Sequence, residues 1–568
     1  MKKPVIEFEN FTWKYNAQTE PTLKNLNLTI YEGEKILICG PSGGGKSTVG
    51  HCLNGLIPFS FRGEGSGSLR ICGKEAKKLS LFDLSKMVGT VLQDADGQFV
   101  GLTVAEDIAF ALENDCVEQA AMRERVRTVA AEVGVDRHLS HSPDELSGGQ
   151  KQRVSLAGVM VNGVPIYLFD EPLANLDPAT GKQAIELIDE LQKSHRATVV
   201  IIEHRLEDVL HRDVDRIILI HEGRILADST PDELLSTELL RQCGVREPLY
   251  IAAMKQAGLT IRPDMLPHSI RTLKLTESER AVLREYYERE PERRETPEAQ
   301  ELLRVENLTF GYQKGQPVLR DVSLKIHRGE MMAIVGKNGA GKSTFSKLLC
   351  GFETPDSGKI LLEGADMSDL SIKERADRIG YVMQNPNQMI CKVKIFDEVA
   401  LGLVCRKTPA EEIRTRVEDT LRVCGLYPFR KWPVSALSFG QKKRVTIASI
   451  LALNPEMILL DEPTAGQDLR HYTEIMEFLR ALNEKGVTVV MITHDMHLML
   501  EYCPRAVMFS EGEMLADSPS YEVLTDDGLI ERANLKKTSL YDLALLCGAS
   551  EPRTFVRHFI QREREARK

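Results

Sequence analysis

Two kinds of apolar pattern alternate along this chain. Residues 4–31 switch between apolar and polar positions, as in Val5-Ile6-Glu7-Phe8 and Leu26-Asn27-Leu28-Thr29-Ile30. A period of two predicts antiparallel strands. Short unbroken apolar runs follow: Lys35-Ile36-Leu37-Ile38-Cys39, Val88-Gly89-Thr90-Val91-Leu92, Pro165-Ile166-Tyr167-Leu168-Phe169 and Ala197-Thr198-Val199-Val200-Ile201-Ile202. Such runs read as buried strands. Gly63-Glu64-Gly65-Ser66-Gly67-Ser68 and then Leu69-Arg70-Ile71-Cys72-Gly73 predict a hairpin edge. From about Val104 to Val135 the pattern is helical, with Glu106, Asp107, Arg123, Glu124 and Arg125 on polar faces. The mixture predicts an α/β protein.

The pattern then repeats. Met331-Met332-Ala333-Ile334-Val335, Ile379-Gly380-Tyr381-Val382-Met383, Met457-Ile458-Leu459-Leu460 and Val487-Thr488-Val489-Val490-Met491-Ile492 copy the buried runs of the first half. Gln93 and Gln384, Gln150 and Gln441, and Tyr250 and Tyr541 are each 291 residues apart. The chain is therefore an internal duplication. Its 568 residues predict a first domain at 1–240, a connector at 241–300, a second domain at 301–535 and a helical extension at 536–568. The connector is rich in charge and ends Arg289-Glu290-Pro291-Glu292-Arg293-Arg294-Glu295-Thr296-Pro297, a solvated linker. Pro248 to Met254 resembles Ser539 to Leu545. Each reads as a short apolar helix, packed on its own domain or bracing a dimer or partner. The basic tail, Arg562 to Lys568, reads as a solvated helix end.

Composition narrows the class. The chain is 42% hydrophobic and 27% charged, which suits globular domains with sizeable cores. Its formal charge of -10 argues against a nucleic-acid binder that relies on broad basic fields. Eleven cysteines are scattered with no C-x-x-C pair, so neither a disulfide framework nor a zinc site is expected. The N-terminal residues lack the apolar core of a signal peptide. No run of about 18 apolar residues predicts a membrane span.

The chemistry sits at the ends of the buried runs. Gly40-Pro41-Ser42-Gly43-Gly44-Gly45-Lys46-Ser47-Thr48 fits G-x-x-x-x-G-K-[ST] between a strand and a helix. Gly336-Lys337-Asn338-Gly339-Ala340-Gly341-Lys342-Ser343-Thr344 is the second copy. Glycines let backbone N–H groups close on phosphate oxygens at a helix N-terminus. Lys46 and Lys342 would reach the β- and γ-phosphates of ATP, and Ser47 and Ser343 would bind magnesium. Asp170-Glu171 and Asp461-Glu462 end apolar strands, where parallel α/β sheets bind ligands. Successive strand side chains point opposite ways, so the two acids should have different tasks. Asp170 and Asp461 suit magnesium, while Glu171 and Glu462 suit polarising an attacking water. His204 and His494 end the next strands and can hydrogen-bond a γ-phosphate or that water. Tyr15 and Tyr312 read either as ordinary strand aromatics or as platforms for an adenine ring. Leu146-Ser147-Gly148-Gly149-Gln150 and Leu437-Ser438-Phe439-Gly440-Gln441 open helices, as anion-binding N-termini do.

These motifs, in this order and twice over, resemble a tandem pair of ABC-type ATPase domains. The resemblance covers about 1–240 and 301–535, and the Leu-Ser-x-Gly-Gln signature carries it. It implies two P-loop domains, each with a RecA-like α/β core, an antiparallel β-subdomain and a helical signature subdomain. It implies a head-to-tail sandwich in which Lys46 shares its nucleotide with Ser438 and Gly440, and Lys342 with Ser147 and Gly149. Gln150 and Gln441 belong to those signatures. Gln93 and Gln384 are implied contacts of the magnesium and nucleotide.

The finer resemblance is to the ATPase of an energy-coupling-factor (ECF) importer. Gln93 to Val104 is similar to that family's glutamine-rich Q-loop, and so is Leu146 through Gly158 to its signature region. Several residues depart from the pattern: Ala95 for proline, Glu203 before His204 for threonine, Phe439 for the first signature glycine, and Gln467 within the segment after the second acid. The resemblance implies import of a vitamin, vitamin precursor or metal ion, with separate membrane subunits as partners and a place at the cytoplasmic membrane face. It also implies docking near Gln93–Leu102 and Gln384–Lys392, where Phe99, Val100, Leu102, Met389 and Ile390 are apolar. A tandem ABC protein acting on ribosomes or nucleic acid is the alternative. Such proteins place Asn-His-Leu-Asp after the acids, where this chain has Ala174-Asn175-Leu176-Asp177 and Ala465-Gly466-Gln467-Asp468.

Overall fold

The computed structural model describes residues 3–93, 96–174, 176–289, 300–464 and 469–566. Ala95, Asn175, most of the charged linker, Ala465-Gly466-Gln467-Asp468, and Arg567 and Lys568 of the tail lie outside them. The chain divides into two compact units. The first runs to Leu283 and the second from Arg284, apart from a short stretch ending at Arg470 that groups with the first. The division falls inside the helix Glu277–Glu288.

Each unit holds the same pair of sheets. In the first unit, Pro4–Tyr15 and Leu23–Tyr31 pair antiparallel, as the period-two pattern predicts, and Gly63–Ile71 and Lys74–Glu75 complete four strands. The larger sheet runs Arg224–Ser229, Arg216–His221, Lys35–Cys39, Thr198–Ile202, Ile166–Asp170 and Val88–Val91. Its last five strands are parallel. Leu37 stands between Ile201 and Ile217 in register. The second unit repeats this order with Ile379–Val382, Met457–Asp461, Thr488–Ile492, Met331–Gly336, Arg505–Ser510 and Glu513–Pro519.

The unbroken apolar runs are explained by two cores, one on each face. Ile36, Ile38, Val200, Ile202 and Leu168 face the antiparallel sheet. Leu37, Cys39, Val199, Ile201 and Phe169 face helices on the other side. Both faces are dry, so both sets of alternate positions must be apolar. Beyond that second core lie Val104–Asn114, Gln119–Glu132 and Gly148–Met160, matched in the second unit by Ile395–Cys405, Ala410–Val423 and Phe439–Leu451. Glu106 serves as more than a polar-face residue, because it closes a capping box with Thr103 at the helix start.

The two short apolar helices each pack within their own unit. Leu249–Gln256 buries Leu249, Tyr250, Ile251, Ala253 and Met254, and the Tyr250 hydroxyl donates to the Pro267 carbonyl at 2.6 Å. Ser539–Cys547 buries Leu540, Leu543 and Ala544 beside Pro552–Ala566. The basic tail corrects its sequence reading. Arg562 donates to the Tyr286 carbonyl at 2.9 Å, and Arg564 donates to the Glu501 carbonyl at 2.9 Å. Carbonyls at a helix C-terminal end attract cations, so these arginines are docked and not merely solvated. Among the described residues no helix is long and apolar enough to cross a membrane.

Candidate active sites

The strand Lys35–Cys39 feeds the first phosphate loop, and Met331–Gly336 feeds the second. Gly40 has φ +149°, and a Cβ there would fall 2.0 Å from the Ile220 carbonyl oxygen. Gly336 meets Phe509 in the same way, at 2.1 Å. Only glycine lets the loop leave its strand against that neighbour. Gly45 and Gly341, at φ 107° and 97°, start the helices Lys46–Leu53 and Lys342–Cys350 without a side-chain cap. No side chain caps either helix start, which suits an anion site. Lys46 curls over the loop and donates to the carbonyls of Gly40 at 2.8 Å and Pro41 at 2.9 Å. Lys342 does the same to Gly336 and Lys337, at 2.7 and 2.9 Å. The loops' remaining residues bracket these lysines: Ser42, Gly43 and Gly44 in one, Asn338, Gly339 and Ala340 in the other.

The acids end the strands Ile166–Asp170 and Met457–Asp461. Glu171 and Glu462 lie just past them, in the left-handed region at φ 50° and 44°. This replaces strand alternation as the reason the paired acids diverge. A non-glycine residue at positive φ marks backbone held by its surroundings, and it aims both glutamates. Burial raises the Asp170 carboxyl to about 6, against the opposing pull of Lys46. Glu171 is pushed up to about 7, by burial first and then by the Glu203 carboxylate. Burial also raises Asp461 and lowers the His204 imidazole, which favours its neutral form.

The residues suit a magnesium ion. Asp170 Oδ1 is buried with no hydrogen-bond partner, an acceptor that a cation would satisfy. In the second unit Ser343 Oγ donates to Asp461 Oδ2 at 3.2 Å, so hydroxyl and carboxylate already converge. Tyr381, which sequence reasoning missed, donates its hydroxyl to the same oxygen at 3.2 Å. Thr90 is its counterpart in the repeat. Among the described residues no three His, Cys, Asp or Glu side chains form a separate metal cluster. A hydroxyl, a carboxylate and substrate phosphates are the usual magnesium set.

The structure brings Gln93, Glu171 and His204 together. The Gln93 side-chain amide donates to Glu171 Oε2 at 2.7 Å, and His204 Nδ1 lies 4.0 Å from Glu171 Oε1. In the second unit His494 Nδ1 lies 2.7 Å from Glu462 Oε1, while the Gln384 carbonyl accepts from Lys443 at 2.9 Å. Tyr15 and Tyr312 sit beside the loops. Tyr15 donates to Thr48 Oγ1 at 3.1 Å, and the Tyr312 hydroxyl lies 3.4 Å from Thr344 Oγ1. Phe61 meets Tyr15 edge-on at 6.2 Å and stacks on His51 at 4.7 Å, an aromatic wall that sequence reasoning did not single out. Its signal was the aromatic stretch Phe59-Ser60-Phe61, in a segment longer in the first half than in the second.

The signature serines cap helices. Ser147 and Gln150 form a reciprocal capping box, as do Ser438 and Gln441. A Cβ at Gly149 would lie 2.5 Å from Thr180 Cγ2, whereas Gly148 has room, with Leu176 at 3.9 Å. Gly440, the counterpart of Gly149, is buried. The apolar residues near the glutamines divide. Phe99 packs against the core of the first unit and Ile390 against that of the second, and Met389 Sδ accepts the Met383 N–H at 3.2 Å. Leu102 is 83% exposed, Val100 64% and Val393 77%.

Comparison with known proteins places the chain in a family. The ABC transporter family profile matches residues 23–174 and 319–465. A second, described as ATP-binding cassette cobalt transporter, matches 237–310. A Clostridium perfringens protein named as an ABC transporter ATP-binding protein is 57% identical over 566 residues, covering 100% of both chains. A protein of the same name from Enterococcus faecalis is 58% identical over 568 residues, again covering 100% of both. A solved structure, cbiO1 of Clostridium perfringens, is described as part of the ABC transporter complex cbiONQ. It is 36% identical, spans 41% of this chain and 95% of its own, and has a TM-score of 0.38.

Proposed function

The chain belongs to the ATP-hydrolysing, ATP-binding proteins of the ABC transporter family, and from that premise we propose that it powers an ECF-type importer. Its partners are then separate membrane subunits, a coupling protein and a substrate-binding protein, reached from the cytoplasmic face. The cargo class is a vitamin, a vitamin precursor or a metal ion. The cobalt-transporter profile over 237–310 supports this reading, as does the glutamine-rich stretch from Gln93 to Val104.

The chemistry is in-line attack of water on the γ-phosphate. Glu171 and Glu462 accept the proton of the attacking water, and His204 and His494 orient the γ-phosphate. Lys46 and Lys342 hold the phosphates, Ser47, Asp170, Ser343 and Asp461 hold magnesium with Gln93 and Gln384 nearby, and Tyr15 and Tyr312 stack the adenine. Magnesium, when bound, neutralises charge developing on the phosphate oxygens. The observation that carries the reading is the left-handed turn at Glu171 and again at Glu462, each past a strand-end aspartate. Each nucleotide pairs the phosphate loop of one half with the signature of the other. Cysteines engineered near Ser47 and Ser438 should crosslink under ATP, and crosslinks confined to one half would refute the pairing.

Docking is best tested at the apolar residues that face solvent. Leu102→Asp and Val393→Asp together should leave ATP binding intact and abolish co-purification with the membrane subunits and ATP-driven uptake. Phe99→Asp is a poorer probe, because Phe99 packs on its own core. Assembly and uptake that survive both changes would move the docking site elsewhere.

A further inference from the structure

The two halves anchor their strand-end histidines differently. In the second half the acid itself is the anchor. Glu462 Oε1 accepts the His494 backbone N–H at 3.0 Å and lies 2.7 Å from His494 Nδ1. Thr493 donates to Glu462 Oε2 at 3.4 Å. In the first half the residue before the histidine is Glu203, which is fully buried. Its Oε1 accepts the backbone N–H of His204 at 2.8 Å and of Arg205 at 3.1 Å, and lies 3.1 Å from His204 Nδ1. Its Oε2 accepts the Leu173 N–H at 3.3 Å. The Arg205 guanidinium donates to the Leu173 carbonyl. Both polar groups of that backbone residue, two beyond Glu171, are therefore gripped from the histidine segment. Glu171 stands 4.0 Å from His204 Nδ1 and holds the Gln93 amide instead.

A buried carboxylate persists only where donors surround it, and Glu203 has them. Threonine, the residue at the matching place in the second half, has a single oxygen on a short stem. It cannot span His204, Arg205 and Leu173 together.

We propose that Glu203 is a positioning residue of the first site: it takes over the anchoring of His204, which leaves Glu171 to be aimed by Gln93, and with Arg205 it clamps Leu173. The first site's acid is thus set by the glutamine segment and the second site's by the histidine. The two sites turn over unequally as a result. This rests on Glu171 and Glu462 being the catalytic acids proposed above.

The test is steady-state ATP hydrolysis by the full chain with one acid silenced. In a Glu462→Gln background, Glu203→Thr should lower kcat by about tenfold or more while KM for ATP stays within about twofold. In a Glu171→Gln background the same change should leave kcat within about twofold. Arg205→Met, which keeps the buried carboxylate, is the second variant and should give a smaller loss with the same confinement. Glu203→Gln, which retains an oxygen for His204 and Arg205, should recover most of the loss. Equal losses in both backgrounds, a loss seen only in KM, or no loss from either Glu203→Thr or Arg205→Met would overturn the proposal. Hydrolysis surviving in the Glu171→Gln, Glu462→Gln double variant would refute the assignment of the acids instead.

Discussion

Glu171 and Glu462 leave equivalent strands through the same left-handed turn, yet they keep different company. Glu171 is held by a glutamine side chain and has the buried Glu203 carboxylate close by. Glu462 is held by a histidine and a threonine. The signature helices differ too. Gln152 donates to the Pro172 carbonyl, whereas its counterpart Lys443 donates to the carbonyls of Met383 at 2.7 Å and Gln384 at 2.9 Å. Burial lowers that ammonium to about 8, against the pull of Asp461 and Glu462. The difference teaches that duplication has preserved backbone geometry while the side chains around it have diverged. The turn is set by local strand and loop packing. The partners come from segments roughly 30 to 80 residues away, and each can change without disturbing the turn.

Silencing the acids tests the largest part of this comparison. The double variant Glu171→Gln, Glu462→Gln should bind ATP and lose roughly 10² to 10⁴-fold in kcat, the range of a general base. The two single variants should lose unequal amounts, and equal losses would show that the different surroundings do not reach the chemistry.

Removing the helix-borne donors probes the next difference. Lys443→Met takes a buried ammonium away from the partly buried carbonyls of Met383 and Gln384, at about 1.5–3 kcal/mol for hydrogen bonds made by a charged group. The second unit's unfolding midpoint should fall by at least ~2–4 °C. Gln152→Met removes one such bond and should shift the first unit less, as differential scanning calorimetry can resolve. A larger shift in the first unit would reverse the reading.

A further difference shows in pH. Burial pushes the Glu171 carboxyl up from its ordinary 4.5 to about 7. Below 4.5 the carboxyl is protonated whether folded or not, so it adds no pH-dependent penalty. Between 4.5 and 7 the folded chain binds the extra proton, and stability falls as pH rises. Glu171→Gln should therefore gain on the parent chain in unfolding midpoint as pH rises from 5 to 8. A gap that is constant across that range would mean the carboxyl is not held neutral by its surroundings.

Much of the site was legible in order of residues. Each phosphate loop, strand-end acid pair, signature and histidine lies in a contiguous stretch whose chemistry depends on neighbours in sequence. The five parallel strands were legible for a related reason, since a sheet dry on both faces needs apolar residues at both alternate positions. Other features were not legible. Tyr381 reaches Asp461 across 80 residues, and the Phe61 wall depends on a contact between a bend and Tyr15 on a strand 46 residues before it. Phe99 and Leu102 are both apolar and three residues apart, and no pattern says that one turns inward and the other outward. The docked arginines of the tail depend on carbonyls more than 60 residues away.

By itself the sequence determined the duplication, the α/β class and which groups are candidates to meet a phosphate, because these follow from local periodicity and residue chemistry. Only the tertiary structure decided which groups touch. Glu203 was one departure among several in the sequence. It is the fold that buries it and sets His204, Arg205 and Leu173 around its two oxygens. A carboxylate acts through what lies within hydrogen-bond distance, and that distance is set by packing between segments far apart in the chain.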